Sequence, residues 1–144
     1  MSKSKALGSD DISGFDFVKE ILSGDPTYAI NFDRLQKHPE RGYIIFEFLL
    51  CEENQKVNPH TSHPKKYWHL NAQKFISLYS VSKELNAELF LVNYAKKKTK
   101  HEDKIKVIKV LESNENGIVE ERVWDTSRKE FTKWFRKLNL ECNS

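Results

Sequence analysis

Nine consecutive residues, Tyr43-Ile-Ile-Phe-Glu-Phe-Leu-Leu-Cys51, are apolar everywhere except at Glu47. Successive side chains of a strand point to opposite faces, so a strand apolar on both faces needs cover on both. That pattern suggests a strand buried in the middle of a sheet, and the remaining chain supplies the rest of that sheet. Glu88-Leu-Phe-Leu-Val-Asn-Tyr-Ala95 is a second apolar run of strand length, and helical spacing holds between the two runs, from about Pro64 to Asn86. Strand, helix and strand in that order form a crossover unit, which makes 43–51 and 88–95 parallel.

The flanking segments extend this core. Phe15, Val18, Ile21 and Leu22 recur at helical spacing, and Ser23-Gly24-Asp25-Pro26 is a stop signal, which predicts a helix over about 12–22. Tyr28, Ile30 and Phe32 alternate with Ala29, Asn31 and Asp33. This predicts a strand over 27–35, joined to 43–51 as a hairpin through the polar segment 36–42. Residues 52–66, with two Pro and two His, read as a long loop of the functional kind. Strands over 104–111 and 118–124 flank Asn116-Gly117, a hairpin signal. Ser127 and Glu130 have capping-box spacing ahead of a helix at about 127–138, whose buried stripe is Phe131, Trp134, Phe135 and Leu138. The expected fold class is α/β, a mixed β-sheet flanked by helices. It forms one domain over 12–140 behind a flexible stretch at 1–11.

Composition narrows the function classes. With 144 residues, 38% hydrophobic and 12% aromatic, the chain can bury a core, so wholesale disorder is excluded. No run approaches the roughly 18 apolar residues of a membrane span. The basic residues at the start precede no apolar segment, so a cytoplasmic location is expected. Cys51 and Cys142 lie far apart without the spacing of a zinc site. The net charge is only +3, but it is unevenly spread. Residues 1–25 carry three Lys against five acids, whereas 95–110 carry seven Lys against two acids and 122–137 six basic residues against two. Clusters of this kind suit a polyanion, because each neutralised phosphate releases counterions; they are equally the composition of solvated loops and helix faces.

Three residues break the local pattern. Glu47 is the one acid among Ile44, Ile45, Phe46, Phe48, Leu49 and Leu50, and an ionised carboxylate there must meet a cation or a metal. Asp33, near the end of the preceding strand, can reach the same face. Two carboxylates brought together repel, and a divalent cation relieves that. On a helical wheel of 64–86, His69, Gln73, Ser77, Ser80 and Glu84 form the solvent face. Lys74 falls between Leu70 and Leu78 on the sheet-facing arc, with Asn71 three residues earlier on the same side. The plain structural reading is a snorkelling Lys74 and a Glu47 held in an ordinary ion pair.

An acid ending one strand, a hairpin, an acid within the next strand, then a helix and a parallel apolar strand resembles the PD-(D/E)xK nuclease superfamily with its restriction-endonuclease-like fold. The likeness spans about 12–95. It maps the first acid to Asp33 in Asn31-Phe32-Asp33 and the second to Glu47 in Phe46-Glu47-Phe48-Leu49, with Leu49 where the superfamily has its lysine. Some members carry that lysine on the following helix, where Lys74 stands, and some carry an extra acid on the first helix, where Glu20 stands. The resemblance implies metal-dependent hydrolysis of phosphodiester bonds in nucleic acid, more naturally DNA than RNA. Asp33 and Glu47 would hold Mg²⁺ or Mn²⁺ and Lys74 would serve the nucleophilic water. The 52–66 loop and the lysines near 95–110, among them Lys65, Lys66, Lys96, Lys97, Lys98 and Lys100, would grip phosphates, with His60, His63 and His69 as further candidates. A duplex-cutting enzyme would suit a homodimer. Two other readings stand beside it: a catalytically silent relative that binds nucleic acid or protein, and an α/β interaction module in which Glu47 is neutralised internally. No phosphate-binding loop, Rossmann glycine pattern or Gly-x-Ser-x-Gly motif supports another enzyme class.

Overall fold

The computed structural model describes residues 10–142 and contains α1 (Asp10–Leu22), β1 (Arg34–His38), β2 (Gly42–Leu50), α2 (Trp68–Glu84), β3 (Glu88–Tyr94), β4 (Lys104–Asn114), β5 (Gly117–Ser127) and α3 (Arg128–Glu141), with a 3₁₀ turn at Pro64–Lys66. Most of the flexible stretch expected at 1–11 lies outside the described residues; Asp10 and Asp11 already belong to α1. The five strands form one mixed sheet in the order β1-β2-β3-β4-β5. β2 and β3 are parallel and the other neighbours antiparallel, as a β2-α2-β3 crossover between two hairpins requires.

The doubly apolar β2 is covered on both faces. Ile45 belongs to a core with Trp68, Phe75 and Leu78 of α2 and Leu89 and Leu91 of β3. Ile44 and Phe46 face the other way, into a core with Phe90, Val92, Val107 and Leu138, against which Phe131, Trp134 and Phe135 of α3 pack. Phe46 is fully buried, with ring centroids of Phe90 and Phe135 both 5.2 Å away. Ser127 caps α3 by accepting the Glu130 N–H at 3.1 Å, as the capping spacing predicts.

Several expected elements differ. No strand covers 27–33: the β1 ladder begins at Arg34, opposite Phe46, and Tyr28 is 94% exposed. The alternation of Tyr28, Ile30 and Phe32 has no strand opposite it, because the Asp33 carboxylate takes the next free N–H of β2, that of Phe48. α1 forms, but Ile12, Phe15, Phe17, Val18 and Ile21 are exposed rather than packed on the sheet. It ends at Ser23 and Gly24, both at positive φ (47° and 93°), the conformation glycine tolerates without strain. The expected helix over 64–86 is a 3₁₀ turn followed by α2, which is kinked at Asn71 (φ −132°). The kink shifts the first turn relative to the rest, leaving Leu70 exposed although the wheel puts it with the buried arc. The hairpin turns at Glu115 and Asn116, one residue before Asn116-Gly117, and its strands are longer than the apolar runs suggest.

Candidate active site

Asp33, Glu47 and Lys74 come together from three separate segments. Asp33 sits just before β1. Its backbone N–H donates to the Phe46 carbonyl at 3.2 Å and its Oδ2 accepts the Phe48 N–H at 2.7 Å, so it straddles Glu47 on the β2 edge. Glu47 lies on the α2 face of β2, in phase with Ile45 and Leu49, and its side chain is 6% exposed. Lys74 reaches over from α2 to place Nζ 2.6 Å from Glu47 Oε2 while remaining 42% exposed. It thus snorkels and pairs at once. Asp33, Glu47, Gln73, Lys74 and Ser77, with the segment 27–31, line a cavity of about 530 Å³.

The electrostatics of this trio are unbalanced. Burial pushes the Glu47 carboxyl above the ordinary glutamate range, and the Asp33 carboxyl, within hydrogen-bonding reach, pushes it further; the Lys74 ammonium opposes both without overcoming them. Two carboxylates and one half-solvated ammonium thus share one cavity wall. Mg²⁺ characteristically takes one or two carboxylates and completes its shell with water and phosphate oxygens. Asp33 and Glu47 fit that donor set, two hard oxygen ligands side by side at a cavity that can admit both. Among the described residues no group of three or more His, Cys, Asp or Glu side chains gathers as a metal cage, so an ion here would depend on water or substrate for its other ligands.

The other predicted residues are placed differently. Glu20 is exposed on α1 and does not line the cavity. Asn71, at the α2 kink, lines a neighbouring cavity of about 430 Å³ that Lys74 also borders, and not the one holding the carboxylates. Lys65, Lys66, Lys96, Lys97, Lys98 and Lys100 are all exposed in the loops after β2 and β3, outside the cavity. Because those strands are parallel, both loops leave the same end of the sheet, and the Lys100 N–H donates to Glu53 at 2.7 Å to join them. His60 and His63 fasten the 52–66 loop to β5: His60 Nε2 lies 3.0 Å from the Thr126 carbonyl and His63 Nε2 2.8 Å from Glu121. His63 Nδ1 accepts the Lys65 N–H at 3.1 Å, so its Nε2 carries the proton donated to Glu121. Buried Asn93 holds the same loop from below, donating to the Pro59 and Ser62 carbonyls at 3.2 and 2.8 Å.

Gln73 and Ser77 belong to the cavity although the helical wheel assigns them to solvent. They are hydrogen-bonded to each other at 3.1 Å, and the segment 27–31 lines the cavity across from them. Only the adjacency of Gln73 to Lys74 hinted at this.

No protein-family model, curated protein or solved structure matches the chain. None of the helices among the described residues is long and apolar enough to cross a membrane.

Proposed function

We propose that the Asp33–Glu47–Lys74 cavity is the active centre of a divalent-cation-dependent nuclease acting on DNA, with a restriction-endonuclease-like arrangement of its core. The observation that carries this reading is the convergence of a second carboxylate, Asp33, and a lysine, Lys74, on the buried acid Glu47 at the wall of one cavity. Asp33 and Glu47 would hold Mg²⁺ or Mn²⁺, which when bound supplies Lewis acidity toward a phosphate oxygen and lowers the pKa of its water. The Phe48 N–H fixes the Asp33 carboxylate, so one donor of the pair is oriented in advance. Lys74 takes the place of the lysine that the resemblance puts at Leu49. Its Nζ is tethered by Glu47 and open to solvent, placed to orient a water or offset charge on a phosphate. The exposed lysines of the two loops at the same sheet end supply phosphate contacts outside the cavity.

The test is incubation of the protein with plasmid, linear and branched DNA, with and without Mn²⁺. Cleavage by wild type that is lost in Asp33→Asn, Glu47→Gln and Lys74→Ala supports the reading. Absence of cleavage together with no Mn²⁺ binding by calorimetry rejects it. The ready-made Glu47–Lys74 pair also suits a catalytically silent nucleic-acid-binding module. DNA binding with a steep salt dependence and no cleavage would establish that instead.

A further inference from the structure

Asp33 borders two cavities. The second, about 650 Å³, lies on the α3 side of the sheet and has a different character. Phe48 follows Glu47 in β2 and points to the opposite face, where Phe48, Tyr94, Phe131 and Phe135 form an incompletely buried aromatic wall. Phe131 and Phe135 stack at 5.5 Å, and Phe48 meets Phe135 edge to face at 6.2 Å. The rim carries three guanidinium groups, Arg34, Arg128 and Arg136, against the one carboxylate of Asp33. Arg34 is committed to Asn139 at 2.7 Å and lies 5.3 Å above the Phe135 ring, and Arg128 donates to the Glu102 and Ala95 carbonyls at 2.8 and 2.6 Å. Arg136 is exposed and forms no ion pair among the described residues.

We infer that this cavity is a nucleobase subsite: it takes one unpaired base of a DNA strand whose neighbouring phosphate lies at Asp33 and Glu47. The inference rests on the nuclease reading for the position of that phosphate, but the binding it describes needs no catalysis. Partly exposed rings at a cavity can stack on a base of any identity, Phe131 rather than Phe135 because Arg34 already lies over the Phe135 ring, and a positive rim with one unpaired guanidinium suits the phosphate that accompanies it. A paired base within a duplex has its faces already stacked, so the occupant is a single-stranded or flipped nucleotide. The continuity is supplied by the β2 edge. Beyond the β1 ladder the Asp33 carboxylate takes the Phe48 N–H, and because Asp33 lines both cavities a strand passing it moves from the carboxylate cavity to the aromatic one.

The experiment uses Glu47→Gln protein in EDTA, so that cleavage plays no part, and a 12-nucleotide single strand carrying one 2-aminopurine. Three outcomes are expected: quenching of the 2-aminopurine on binding, weaker binding of the same strand with abasic sites, and weaker binding of the matching duplex. Phe131→Leu keeps apolar bulk but removes a ring, and should weaken single-strand binding by roughly 5- to 150-fold, the range for loss of one stacked base, while Phe131→Tyr restores it. Arg136→Glu, at an exposed position, should weaken binding without affecting folding. Equal affinity for abasic and normal strands, or Phe131→Leu and Arg136→Glu both binding like the parent, overturns the subsite. Quenching without any cleavage by wild type in Mn²⁺ supports the subsite and removes the nuclease reading.

Discussion

Glu47 and Glu88 are carboxylates on adjacent parallel strands of one sheet, with Glu88 in register with Ile44 and Glu47 with Leu91. Glu88 is surrounded by cations. Arg41 grips it through two nitrogens, both at 2.7 Å, and Lys109 adds a third contact at 3.0 Å. Burial alone would raise its pKa, but these hydrogen bonds and charges outweigh burial and hold it below the ordinary glutamate range. Glu47 is more deeply buried, has a single cation that is 42% exposed, and has another carboxylate as neighbour, so its pKa moves the other way. The pair shows two different ways in which a carboxylate is accommodated within a single sheet. The first is held by three cationic contacts, whereas the second has one half-solvated ammonium and a second carboxylate beside it.

The largest effect that separates them is catalytic. Glu47→Gln should lower Mn²⁺-dependent DNA cleavage by at least about 100-fold, whereas Glu88→Gln should leave it near wild type; equal losses in a gel-based cleavage assay would erase the distinction. Stability comes next. Glu88→Gln strands Arg41 and Lys109 and should cost about 1–3 kcal/mol in urea unfolding at pH 7. Because the folded pKa of Glu88 is depressed, its contribution is present above the unfolded value and fades as pH falls through the folded one, so the deficit should shrink on acidification. Mg²⁺ at ten times its Kd should stabilise wild type by about 1.4 kcal/mol and leave Asp33→Asn unmoved in a thermal melt. The smallest effect has the opposite sign. Glu47 has a raised folded pKa, so its charge becomes a stability cost as pH rises from the ordinary glutamate value through the folded one. Lys74 can rehydrate when its partner is lost, so Glu47→Gln should gain up to about 1 kcal/mol, with the gain fully developed once the pH is above the folded pKa of Glu47.

The core was legible because its signals are local. The double apolarity of 43–51 called for cover on two faces, and α2 and α3 provide it. Lys74 was found by phase alone, because the kink at Asn71 precedes it and leaves the later turns of α2 on the predicted wheel. What escaped the sequence depends on where segments pass in space. Residues 27–33 alternate like a strand, but a side chain, Asp33, occupies the β2 edge there instead of a backbone ladder. Gln73 and Ser77 look solvated until 27–31 is seen across from them. The aromatic cavity needs Phe48, Tyr94, Phe131 and Phe135 from three distant elements, and as sequence these read only as core. The apolar residues of α1 follow a helical period, yet the structure leaves them exposed, which periodicity could not foretell.

The comparison between the two glutamates can be measured directly by following the side-chain carboxyl ¹³C signals of Glu47 and Glu88 against pH by NMR, with and without Mg²⁺. Glu47 should titrate above the ordinary glutamate value and shift downward when Mg²⁺ is added, while Glu88 titrates below it and ignores the ion. A Glu47 that titrates at or below the ordinary value and is indifferent to Mg²⁺ would contradict the claim that this carboxylate awaits a cation.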